Sequence, residues 1–217
     1  MVVSLLQLKM IDMKKTWLKA ALEGHPEIKP IQYLGDGNRG EAHLTNKGFV
    51  LKMTLDEDEY STAQKLQGKK LQHIIDIYDC WEAECNDKYS DNFYCILEEY
   101  VNTKEQGEII QKFVSEFKHA WYSLYFPTYE HIYGTYDDLD RYMKDPTKYS
   151  NAITFVKQHI IDQGRVQGLG IVFESIFDQL LSAYAELLKY SPKSRIDIND
   201  GNIGFSQNGV LKVFDMQ

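Results

Sequence analysis

RIDINDGNIGFSQNGVLKVFDMQ, residues 195–217, is the stretch whose reading decides the fold. Two short apolar runs, 203–205 and 210–214, flank Asn208-Gly209, a dipeptide that tolerates the positive φ of a tight hairpin turn. The spacing predicts a β-hairpin whose joined ends bring Asp197, Asn202 and Asp215 to one point. Two carboxylates and an amide present oxygen ligands only. Such a set suits Mg2+, which takes few protein ligands and completes its shell with substrate phosphates. A metal–phosphate site is therefore the expectation, with ordinary Asp and Asn turn chemistry as the alternative.

Upstream of this stretch, Ile171, Ile176, Leu180, Tyr184 and Leu187 recur at helical spacing over residues 171–190, and Pro192 closes that helix. Residues 4–22 read as another amphipathic helix, ended by Gly24 and Pro26. Residues 28–34 read as a strand running into GDGNRGEA, in which Gly35, Gly37 and Gly40 fit G-x-G-x-x-G and Ala42 follows. A dinucleotide-binding turn of that pattern has to open a helix. Here the glycines are followed by residues 42–45, the turn Asn46-Lys47-Gly48 and residues 49–53, which is a second hairpin. Glycines capping such a ribbon let backbone N–H groups approach phosphates, because no Cβ blocks the way.

Lys52 lies in FVLKM, flanked by apolar residues, and a buried lysine needs a partner. Residues 56–71 read as a helix. Glu59 stands four and seven positions before Ala63 and Leu66, on the inward face, whereas Asp56, Glu57 and Asp58 suit the charged first turn. Strands are expected at 74–81 and 93–97, the second running into EEYVN (98–102). Residues 103–170 carry expected helices at 108–125, 137–143 and 152–163 and no assignable chemistry.

Composition narrows the classes. The 217 residues suit one domain or two small units, and 43% hydrophobic content is that of a globular chain. A formal charge of -8 argues against nucleic acid or an anionic membrane as the main partner. No run of eighteen apolar residues and no signal-peptide pattern is present, so a cytoplasmic location is expected. Cys80, Cys85 and Cys95 lack C-x-x-C spacing, with His73 the one candidate for a fourth zinc ligand; Cys80 and Cys95 sit in apolar runs and are read as packed thiols.

Glycine loop, Lys52, Glu59, the Asp197-x-x-x-x-Asn202 loop and Asp215 occur in that order, and together they resemble the protein kinase-like superfamily. The resemblance runs from about residue 28 to the end, except 103–170, and is to compact Ser/Thr kinases of the phage and bacterial kind. It implies a bilobal α+β fold: a helical extension at 1–26, an N-lobe at 27–101 with a five-stranded antiparallel sheet and one helix, and a mainly helical C-lobe at 102–217. It also implies an ATP- and Mg2+-dependent phosphotransferase located in the host cytoplasm if phage-encoded. Gly35, Gly37, Gly40, Ala42 and Lys52 would bind nucleotide, and backbone groups of Glu99 to Val101 would meet the adenine edge, with Glu98 behind them. Glu59 would orient Lys52, Asn202 and Asp215 would hold Mg2+, and Asp197 would accept the proton of the attacking hydroxyl. The acceptor would be a protein hydroxyl, this chain's own included, or a small molecule.

Three departures qualify that picture. The usual His and Arg before the catalytic Asp are Arg195 and Ile196, and the Lys two positions after it is Asn199. The chain is expected to lack an activation segment, since only Met216 and Gln217 follow Asp215. A nucleotide-binding pseudokinase and an AMP-transferase on the same fold are the rival readings.

Overall fold

The computed structural model describes residues 17–36, 40–84, 92–103, 106–125, 144–145, 147–206 and 208–216. Among these, residues up to Lys70 together with 76–100 form one compact unit, and 71–75 with those from Val101 onward form a second. The first carries five strands: β1 (Pro30–Asp36), β2 (Gly40–Thr45), β3 (Phe49–Thr54), β4 (Ile77–Ala83) and β5 (Phe93–Glu99). They form one antiparallel sheet in the order β1-β2-β3-β5-β4. Helix α1 (Glu57–Leu66) lies between β3 and β4 in the chain. This is the mixed architecture the resemblance implies, a five-stranded antiparallel sheet with one helix.

Local chemistry sets the joints. Gly48 closes the β2–β3 turn at φ +77°, with its N–H donating to Thr45 O at 3.0 Å. Thr45 Oγ1 donates to Phe49 O at 3.0 Å, so the turn is fastened by its own side chain. Asp56 precedes α1 as its N-cap and is not part of its first turn: Oδ1 accepts from the N–H groups of Asp58 at 3.0 Å and Glu59 at 3.2 Å. The helix ends at Leu66 rather than 71, because Gly68 takes φ +71° and donates its N–H to Ile77 O at 3.0 Å.

Alternation divides the sheet. Leu51, Met53, Phe93, Cys95 and Leu97 share one face in a core with Ala21 and Ile28. The helical residues 17–21 close over it: Trp17 stacks on Phe93 with centroids 5.0 Å apart, and Trp81 Nε1 donates to Ala21 O at 3.0 Å. The rest of the helix expected at 4–22 lies outside the described residues. The opposite face takes α1, where Tyr60 stacks on Tyr94 at 4.4 Å.

The second unit contains α2 (Gly107–Tyr125), α3 (Ser150–Val166), α4 (Gly170–Tyr190) and the hairpin β6 (Ile203–Phe205) and β7 (Leu211–Val213). The helix expected at 137–143 lies outside the described residues. Phe113 of α2 meets Phe173 of α4 edge-on at 5.7 Å, and Phe117 meets Phe177 at 6.2 Å. All four rings are buried, and each contributes about 1.5–3 kcal/mol relative to exposure. No helix among the described residues is long and apolar enough to cross a membrane.

The strand expected at 74–81 begins only at Ile77. His73, Ile74 and Ile75 are instead taken by the second unit, where Ile74 bridges Val213 in parallel and Ile75 N–H donates to Val213 O at 3.2 Å. A sequence window sees the apolar run but not which strand claims it.

Gly40 sits in β2 where a Cβ would stand 2.1 Å from Met53 O, whereas a Cβ on Gly35 would meet nothing within 4 Å. Urea denaturation of Gly40→Ala should therefore show a loss of about 1–3 kcal/mol from overpacking. The same measurement on Gly35→Ala should stay within roughly 0.5 kcal/mol of wild type.

Candidate active site

In the first unit the sheet register sets a row of residues across the strands. Gly35 pairs with Ala42, Ala42 with Lys52 and Lys52 with Ile96, so these four stand side by side on one face. Lys52 is flanked on one side by two of the smallest residues. On the helix side its Nζ forms an ion pair with Glu59 Oε1, and the Lys52 and Glu59 side chains keep 19% and 8% of their exposure. The pairing follows from local order: Lys52 points to the α1 face of β3, and the Asp56 cap starts α1 so that Glu59 falls on its inner side. A nearly buried carboxylate thus holds a partly accessible ammonium in place.

The three glycines fare differently. Gly35 lies in the row, with open space where a side chain would be. Gly40 is required by the close approach of Met53 O, an internal reason unrelated to phosphate. Gly37 lies outside the described residues. At the end of β5, the Glu99 N–H donates to Asp76 O at 2.8 Å and the Glu99 carboxylate accepts from Asp76 N–H at 3.1 Å. Any contact from Glu99 to a base has to use another atom. Glu98 is buried at 8% exposure. Val101 opens the second unit and packs on β6, where a Cβ on Gly204 would stand 2.6 Å from Val101 Cγ1.

In the second unit the loop between α4 and β6 is held from behind by Tyr184, whose buried hydroxyl donates to Ile196 O at 3.1 Å. Asp197 Oδ2 then accepts two side-chain amides, from Asn199 Nδ2 at 2.7 Å and from Asn202 Nδ2 at 3.1 Å. Asn202 Nδ2 also donates to Asp197 O at 3.2 Å, and Asn199 Oδ1 accepts from Gly201 N–H at 2.8 Å. Asn199 and Asn202 are thus both tied to one carboxylate. With its nitrogen committed to Asp197, Asn202 has Oδ1 to offer a cation.

Asp215 reaches the same place along the main chain. Phe214 N–H donates to Asn202 O at 3.0 Å, and Met216 forms an antiparallel bridge with Ile196. The residues on either side of Asp215 are therefore bonded to the neighbour of Asp197 and to Asn202 itself. Asp215 has φ +62°, the one positive φ at a non-glycine among the described residues. That conformation costs roughly 1–3 kcal/mol and persists where surrounding bonds impose it, often at a functional site.

Among the described residues no three His, Cys, Asp or Glu side chains group as a metal cage. Asn202 and Asp215 carry oxygen donors, the ligand type a hard cation such as Mg2+ takes together with phosphate and water. His73 is spent elsewhere, its ring Nδ1 lying 3.2 Å from Leu211 O. No motif marks Asn199 or Tyr184 as a support of the loop. The one signal for Asn199 is its position two residues after Asp197, and Tyr184 reads in sequence as one more apolar helix position.

No family model matches the chain, and no curated protein does. Among solved structures, the ternary complex of APH(2'')-IIa with streptomycin and ATP aligns with 91% of this chain and 69% of its own, at 16% identity and a TM-score of 0.35.

Burial pushes the thiol of Cys95 up to about 12, and burial with the nearby charges of Asp79 and Glu98 does the same for Cys80. Both thiols stay protonated at neutral pH, and the thiolate is the nucleophile. Peptide mapping after brief iodoacetamide treatment at pH 7.5 should find both unmodified in the native chain and modified after denaturation. Rapid native labelling of Cys95 would contradict the packing described.

Proposed function

We propose that this chain is an ATP- and Mg2+-dependent phosphotransferase that moves the γ-phosphoryl group to a hydroxyl. The observation that supports it most is the Asp197 carboxylate ordered by Asn199 and Asn202, in a loop to which the residues flanking Asp215 are bonded. One Asp197 oxygen is occupied by two amides, which leaves the other to take a proton. An oxygen fixed in that way is preorganised as a general base or as an orienting group for an incoming hydroxyl.

The roles divide by chemistry. Lys52, oriented by Glu59, binds phosphate oxygens, and the open space at Gly35 admits the nucleotide beside it. Asn202 Oδ1 and the Asp215 carboxylate hold Mg2+. That ion would supply positive charge to offset the negative charge that develops on the phosphate oxygens. Asp197 stays off the metal, receives the hydroxyl proton and orients the acceptor for in-line attack. Asn199 contributes an uncharged amide where Ser/Thr protein kinases carry a lysine. That difference fits a small-molecule or self acceptor as readily as a protein Ser or Thr.

Three measurements test this reading. Thermal denaturation with ATP should show a rise in midpoint that increases when Mg2+ is added, because a ligand of the folded state stabilises it by mass action. No shift at millimolar ATP, with or without the metal, would remove the catalytic reading. In turnover assays Lys52→Ala should lose phosphate positioning with the fold intact. Asp197→Ala should keep the ATP-induced shift and lose roughly a hundredfold or more in rate. Mass spectrometry of the chain and of added acceptors separates the alternatives: gain of one phosphoryl group, gain of AMP, or no change with nucleotide bound.

A further inference from the structure

Lys212 is a buried charge that the mechanism above leaves unused. It lies at 8% exposure in the centre of β7, and its ammonium donates to the carbonyl oxygens of Leu71 at 3.1 Å and Ile74 at 3.0 Å. A lysine so deeply placed is unusual, because an ammonium outside water has to find acceptors for its hydrogens.

What it bonds is a short segment that bridges the outer edge of a two-stranded ribbon. β7 is three residues long and pairs with β6 on one edge. On the other edge Val213 N–H donates to His73 O at 2.9 Å, and Ile75 N–H donates to Val213 O at 3.2 Å. The 71–75 segment is in turn anchored to α4, where the Glu186 carboxylate accepts the N–H groups of Gln72 at 3.2 Å and His73 at 2.8 Å. Leu211 N–H is held by Gln179 Oε1 at 2.8 Å. Most of these β7 bonds are main-chain bonds that any residue in register could make. Lys212 is different, because only one register sets its ammonium under both carbonyls.

We propose that Lys212 is a positioning residue that pins the register of β7 and so aims the Asp215 carboxylate at the metal. The proposal rests on the metal-binding role of Asp215 given above. A slip of one residue turns every side chain of a strand to the opposite face and moves the chain by about 3.3 Å. Only Val213 and Phe214 separate Lys212 from Asp215, so such a slip would carry the carboxylate away from Asn202. The buried ammonium forbids the slipped state, since there it would lose both carbonyls.

The test is a Mg2+ titration of the ATP-induced thermal shift on the full chain. Lys212→Met should need about tenfold more Mg2+ for half the metal-dependent shift, the scale seen when supports of metal ligands are removed. The shift with ATP alone should be unchanged, and Lys212→Arg, which keeps charge and donors, should recover part of the Mg2+ affinity. A lower midpoint for Lys212→Met with wild-type Mg2+ dependence would make Lys212 purely structural and overturn the proposal. Should Lys212→Met not fold, hydrogen exchange on the wild-type chain decides. Mg2+ added to ATP should slow exchange at the Val213 and Ile75 amides, and no change at either would overturn it. A wild-type chain whose ATP shift ignores Mg2+ would overturn both this proposal and the role of Asp215 beneath it.

Discussion

The hydrogen bond from Phe214 N–H to Asn202 O, together with the bridge between Ile196 and Met216, closes the end of the hairpin on the loop before it. Without those two ties, Asp215 would hang from a three-residue strand and Asp197 from a turn. With them, Asp197, Asn202 and Asp215 belong to one cyclic piece of backbone, and the cost of the positive φ at Asp215 is met by bonds on both sides. The rest of the second unit supports this ring. Tyr184 holds Ile196 from α4, and α4 is itself fixed by the aromatic contacts of Phe173 and Phe177.

The first unit follows the same logic with different parts. A cap at Asp56 sets where α1 begins, and that start sets which acid turns inward. Glu59 meets Lys52 because the cap, the strand end at Thr54 and the lysine two residues earlier are in rigid sequence. Removing either charge would leave the other nearly buried without its partner, a larger penalty than the pair's own net contribution to stability. Such a pair serves position more than stability.

Much of this was legible in the chain. Asn208-Gly209 and Asn46-Lys47-Gly48 announce two turns because glycine there takes a φ that other residues avoid, and Gly48 and Gly209 do take +77° and +75°. The alternation around Lys52 and the amphipathic run ending at Pro192 locate β3 and α4 within a residue or two. What stayed hidden was non-local. Ile74 and Ile75 read as the start of β4, yet their partner is Val213, far along the chain. Nothing local in the sequence marks Lys212 as buried, since the carbonyls that take its ammonium come from residues 71 and 74. Gly40 fits the glycine pattern, but the constraint on it comes from Met53 O across the β2–β3 ladder.

The central claim is that Asn202 and Asp215 form one cation site while Asp197 stands beside it unligated. Crystals grown with ATP and Mn2+ in place of Mg2+ test it directly, because manganese marks its own position by anomalous scattering. The account predicts one anomalous peak within bonding distance of Asn202 Oδ1 and an Asp215 carboxylate oxygen, with Asp197 still bonded to Asn199 and Asn202. A bound nucleotide whose manganese lies away from both residues, or an Asp215 carboxylate turned from Asn202, would contradict it.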